Sequence, residues 1–126
     1  MIVADSDVLI DALRGREPVK TRIAQELEKS ALATTSVSVF ELLSGARTAA
    51  AEKKVRQLLD AVSILPLDET ASELAAEVRK KLEAKGSSIG MADYLIAGIC
   101  LSRSAILLTR NKNHFERVPD LVLGEL

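Results

Sequence analysis

The order of apolar segments predicts an α/β fold, a parallel β-sheet of four to five strands flanked by helices on both faces. Three observations carry this. Short apolar runs at 2–5, 31–35, 62–65 and 105–108 have strand length, and 121–123 offers a shorter fifth. Between them, apolar residues recur at three- and four-residue intervals, so strands alternate with helices. Gly15, Pro18, Gly45, Pro66 and Gly86 fall at the joints between these segments.

Taken in order, Ile2, Val3 and Ala4 form the first strand, with Asp5 at its end. Val8, Leu9, Ile10 and Leu13 then give a helix over about 7–14, with Asp7 as its expected N-cap. Ile23, Ala24 and Leu27 mark a second helix ending near Ser30. Ala31–Thr35 is the second strand. Ser36 or Ser38 is expected to cap the next helix, which carries Val39, Phe40, Leu42 and Leu43 and stops at Gly45. Val55, Leu58, Leu59 and Val62 form a helix face that runs into the third strand, closed by Pro66. Ala71, Leu74, Ala75, Val78 and Leu82 are an apolar stripe, with Glu77, Arg79, Lys80, Lys81 and Glu83 on the wet side. Ala92–Leu101 is apolar almost all round and reads as a helix packed on both sides. A strand at 105–108, a helical turn at 111–117 and the short strand at 121–123 complete the chain.

The 126 residues are 48% hydrophobic and 28% charged, which predicts one domain, 1–126, with a single core that needs no disulfide or metal to fold. One cysteine, no basic leader and no apolar stretch of membrane-spanning length predict a soluble, cytoplasmic protein. A net charge of -1 gives no overall basic footprint, so any phosphate-binding surface must be local. Aromatics make up 2% of residues, which excludes a module that stacks bases on aromatic platforms. A nuclease that grips and cuts a backbone stays open.

In open parallel sheets, sites lie at the carboxyl ends of strands. Asp5 ends the first strand, and Thr109, Arg110 and Asn111 end the fourth. Two further acids stand out. Glu41 sits between Phe40 and Leu42, and Asp93 opens the most apolar helix. Each has an ordinary explanation: Glu41 could point outward, and Asp93 could simply favour the helix dipole. Jointly they converge on one edge of one sheet, where isolated buried carboxylates are costly and a cation is the usual remedy. An all-carboxylate cluster without a His or Cys set selects a hard ion, Mg²⁺ or Mn²⁺. Such ions assist phosphodiester hydrolysis by activating water and offsetting phosphate charge. No nucleotide-binding glycine motif is present. Cys100 reads as core, and His114, the sole histidine, as a helix-start or surface residue.

Four blocks, "VADSDVLIDALRG", "TTSVSVFELLSGA", "IGMADYLIAGICL" and "LLTRNKNHFERVPDLVL", resemble in order and spacing the signature blocks of PIN domains. The likeness covers nearly the whole chain and is nearest to VapC-type toxins of prokaryotic toxin–antitoxin pairs. It implies a Mg²⁺- or Mn²⁺-dependent endoribonuclease, usually a homodimer, held inactive by a VapB-type antitoxin. It also implies that Asp5, Glu41 and Asp93 are the three metal-binding acids, with Ser6, Thr35, Ser38 and Thr109 as surrounding polar positions. The fourth block departs from the family, which commonly has an acid at the position of Asn111 or of His114.

The expected activity is therefore hydrolysis of RNA, with Asp5, Glu41 and Asp93 holding the ion and Thr109 and Asn111 ordering its water. Arg14, Arg47, Arg110 and Lys112 are candidate phosphate contacts, each equally well read as a solvated charge. The fourth-block departure motivates one alternative, a catalytically weak PIN domain that binds RNA or a partner. A phosphotransferase of the HAD type, using Asp5 and Asp7, would need a downstream acidic pair that "TRNKN" does not offer.

Overall fold

The computed structural model describes residues 1–126. Five strands, β1 (Ile2–Ala4), β2 (Leu32–Thr35), β3 (Ser63–Leu65), β4 (Ile106–Leu108) and β5 (Val122–Leu123), form one sheet in the order β3-β2-β1-β4-β5. Every pairing is parallel, with Val3 opposite Ala33 on one side and Leu107 on the other. The helices are α1 (Ser6–Leu13), α2 (Val19–Glu28), α3 (Ser36–Gly45), α4 (Ala49–Asp60), α5 (Glu69–Ala84), α6 (Met91–Ser102) and α7 (Lys112–Phe115).

Alternation along the strands splits the core in two. Val3, Ala33 and Leu107 face a cluster made with α5 and α6, including Val78, Leu82, Ile96 and Ile99. Ala4, Leu32 and Leu108 face the other cluster, with Val8, Leu9, Ile23, Leu42 and Leu59. Both faces are covered, as a parallel sheet requires. The α6 helix lies so close to α5 that Gly98 has no room for a side chain: a Cβ there would stand 2.3 Å from the Ala71 carbonyl oxygen.

The expected elements form, with two corrected caps and each strand one residue shorter at one end than expected. Asp5, not Asp7, caps α1, and its carboxylate accepts from the Ser6 amide at 2.8 Å. Thr35, not Ser36 or Ser38, caps α3 and accepts from the Ser38 amide at 3.0 Å. In both cases the residue at the strand end keeps extended backbone and turns its oxygen onto the helix start, two residues before the expected Asp7 and one before Ser36. Val62 precedes β3, because the amide of Val62 still donates back to Leu59.

Candidate functional site

The carboxyl ends of β1 and β4 and the first turns of α1, α6 and α7 meet at one edge of the sheet. Together with Glu41 of α3, they form a cleft lined by Asp5, Ser6, Asp7, Glu41, Asp93, Arg110 and Asn111, with no apolar side chain among them. All four site residues expected from sequence are thus brought together.

Asp5 is the most firmly held. It is only 6% exposed, with one oxygen on the Ser6 amide and the other accepting from the Thr109 hydroxyl at 2.8 Å. Burial pushes its carboxyl up from 3.8 to about 7, and the nearby Asp7 and Glu41 carboxylates add to the rise. The Thr109 and Ser6 hydrogen bonds favour the charged form, but burial wins. The Asn111 amide donates to the Thr109 hydroxyl at 3.0 Å, so a short chain of hydrogen bonds links the start of α7 to Asp5.

Glu41 accepts from the Ser6 hydroxyl at 3.2 Å. Burial raises its pKa; the Ser6 hydrogen bond opposes the rise, and the Asp93 and Asp7 charges reinforce it. Asp93, in the first turn of α6, lies 2.9 Å from His114 Nδ1. The Asn111 side-chain nitrogen is also 2.9 Å from that same Nδ1. A single ring nitrogen cannot give a proton to Asp93 and accept one from Asn111 at once, so the two contacts compete.

Sequence reasoning missed three participants. Asp7, expected as a cap, lies in the cleft, where one oxygen accepts from the Arg110 amide at 3.1 Å and the other is buried without a partner. Burial raises its pKa, against hydrogen bonds from the Arg110 and Val8 amides. Its two-residue spacing from Asp5 was the available signal. His114, expected as a helix-start or surface residue, does sit in α7, but its ring reaches Asp93. Asp11 of α1, outside the cleft lining but paired with Arg110 at 2.8 Å, had no signal at all. The polar set divides as well: Ser6 and Thr109 touch the acids, whereas Thr35 and Ser38 bond each other at the start of α3. Of the four basic candidates only Arg110 lines the cleft. Arg14 lines a neighbouring apolar groove with Ile10, Leu13, Leu42, Val55 and Lys54, Lys112 pairs with Glu125, and Arg47 is exposed and lines neither. Cys100 is buried core, as expected, its thiol pushed up to about 12 by burial and by the Asp5 charge.

The donor set fits a hard divalent cation by its chemistry. It offers carboxylate, hydroxyl and amide oxygens, with the orphaned Asp7 oxygen among them and no thiolate. As placed, no three acids converge tightly enough to ligate one ion. Asp93 and Glu41 each spend one oxygen on His114 or Ser6 and keep the other free.

A family model described as PIN domain matches residues 2–121. The chain is 34% identical over 115 residues to ribonuclease VapC10 of Mycobacterium tuberculosis, covering 91% of this chain and 86% of that one. It is 27% identical over 121 residues to the tRNA(fMet)-specific endonuclease VapC of Salmonella typhimurium, covering 93% and 91%. Among solved structures, it superimposes on a chain of DNA-bound VapBC from Salmonella typhimurium with a TM-score of 0.87 and 26% identity, over 98% of this chain and 96% of that one. The fold also matches a chain of promoter-bound VapBC2 from Rickettsia felis, with a TM-score of 0.91 and 24% identity over 100% and 99%.

Proposed function

The chain belongs to the PIN-domain family, and from that premise we propose that it is a metal-dependent endoribonuclease, the toxin of a VapBC-type toxin–antitoxin pair. The observation that carries the chemistry is the meeting of Asp5, Glu41 and Asp93 in one polar cleft at the strand ends. Asp5, Glu41 and Asp93 would hold Mg²⁺ or Mn²⁺, which when bound supplies Lewis acidity for phosphodiester hydrolysis.

The chain's own residues set the conditions. Thr109 and the Ser6 amide fix the Asp5 carboxylate and favour its ionised form. Ser6 orients Glu41, and His114 orients Asp93. Asn111 stands at the cleft wall, able to hydrogen-bond a water through its carboxamide.

Two partners follow from the same reading. A VapB-type antitoxin would lay an apolar segment in the groove between α1, α3 and α4, which shares Glu41 with the cleft, and bring an Arg or Lys beside Asp5 and Asp93. A second copy would cover α3 and α6, where Phe40 is 71% exposed and Met91 also stands open. Light scattering at micromolar concentration should give the dimer mass, and a monomer mass would count against it. A reducing, cytoplasmic setting accords with the single cysteine. No helix is long and apolar enough to cross a membrane.

The direct test is RNA cleavage by purified protein with Mn²⁺ and with excess EDTA. Cleavage only with the metal supports the reading; cleavage that persists in EDTA refutes the metal site. RNA binding without cleavage in Mn²⁺ would favour the weak-enzyme alternative, which the missing fourth acid at Asn111 and His114 motivates.

A further inference from the structure

An acidic cleft that must receive a polyanion needs a fixed positive charge at its rim, and the chain's overall charge of -1 does not provide one. Arg110 is the only basic residue in the cleft lining. It follows Thr109, whose hydroxyl is locked onto Asp5, and its own amide donates to Asp7, so its backbone is pinned at the site. Its guanidinium donates to Asp11 at 2.8 Å. Asp11 lies on α1 with a side chain only 7% exposed, while that of Arg110 is 52% exposed. The other oxygen of Asp11 takes Arg16 at 3.3 Å.

A buried carboxylate with a cation on each oxygen is a rigid mount, unlike an exposed ion pair between two mobile chains. Only one guanidinium nitrogen of Arg110 is used by Asp11, and the remaining donors of its planar fork are left for an oxyanion. The geometry points to Arg110 as the residue that binds an RNA backbone phosphate at the cleft, with Asp11 as the positioning residue that holds it ready. This rests on the nuclease reading above and adds to it a substrate contact. Arg16 shares the mount but not the cleft, so it separates a phosphate role from a merely structural one.

The test uses a mixed-sequence single-stranded RNA and the full chain carrying Arg110→Ala, Asp11→Asn or Arg16→Ala. Cleavage in Mn²⁺ is followed for kcat and KM, and binding is followed by fluorescence anisotropy over a salt series in an Asp93→Asn background, where cleavage is blocked. Arg110→Ala should lower kcat/KM about tenfold, chiefly through KM, and reduce the salt slope of binding by about 0.7, the share of one phosphate contact. Asp11→Asn should weaken binding by a smaller factor with the slope unchanged, because the charge remains but must be ordered on binding. Arg16→Ala, which loosens the mount but removes no cleft charge, should lower kcat/KM by less than Arg110→Ala and leave the salt slope unchanged. Wild-type affinity and slope in Arg110→Ala, or an equal loss in Arg16→Ala, would overturn the assignment. A parent that fails to cleave refutes the nuclease reading instead, and the binding series still decides the role of Arg110.

Discussion

Asp5 and Asp93 line the same cleft but are held by different kinds of structure. Asp5 grows out of the central strand, is buried, and has both oxygens bonded to Ser6 and Thr109 on the two neighbouring elements. Asp93 stands at the exposed start of α6, and its one partner is His114 on α7, a helix of four residues. That partner is itself contested by Asn111. One wall of the site is therefore part of the sheet, and the other depends on a single shared side-chain contact.

The largest expected effect comes from the fixed wall. Asp5→Asn preserves shape but removes the charge that the whole network is built around, so cleavage should fall by at least about 100-fold, more than loss of an outer-shell partner costs. Circular dichroism should show the fold intact. A variant that keeps even a tenth of the parent's rate would remove Asp5 from the site.

Gly98→Ala attacks the Asp93 wall from behind. The added Cβ would meet the Ala71 carbonyl at 2.3 Å and Ala75 Cβ at 2.7 Å, forcing α6 off α5. Overpacking of this kind costs about 1–3 kcal/mol, readable as a lower denaturant midpoint. Since Asp93 rides on the same helix, cleavage should fall too, while Asp5 stays in place.

The pH dependence of the metal-free protein separates the walls further. Folded Asp5 keeps its proton up to about 7, whereas in the unfolded chain it titrates near 3.8. The stability it contributes is therefore complete below 3.8 and is lost progressively as pH rises to about 7. In EDTA, Asp5→Asn should become more thermostable relative to the parent as pH climbs through that window. Mn²⁺ should narrow the gap, since the ion takes the place of the proton. A melting-temperature difference that does not change with pH would show that Asp5 is not buried as described.

The smallest effect concerns the missing fourth acid. Asn111→Asp adds a charge at the cleft wall with almost no change in volume, so it should tighten Mn²⁺ binding by several-fold, because carboxylate count tunes such sites. His114→Asp places the new charge against Asp93 rather than in the cleft lining, and should do less. The reverse order would make His114 the true equivalent of the family's fourth acid.

The comparison of walls also marks what the sequence reveals. Strand-end acids and helix periodicity sufficed for the alternating architecture and for bringing Asp5, Glu41, Asp93 and Asn111 to one edge, since a parallel sheet sends every strand end to the same side. The start of α4 at Ala49 was not legible, because "AAAEKK" has no apolar stripe. The contacts that tune the site were not legible either. Arg110 meets Asp11 across 99 residues, and His114 meets Asp93 across 21, and no local spacing encodes such pairs. Asp7 was misassigned because Asp, one residue into a helix, looks the same as a cap until the backbone turn is seen.

Isothermal titration of the metal-free protein with Mn²⁺ tests the shared ion site most directly, run on the parent, Asp5→Asn, Glu41→Gln and Asp93→Asn. If the two walls close on one ion, the parent binds and each substitution weakens binding by about tenfold or more. A parent that takes up no Mn²⁺, or three variants that bind it as the parent does, would contradict a metal centre built from Asp5, Glu41 and Asp93.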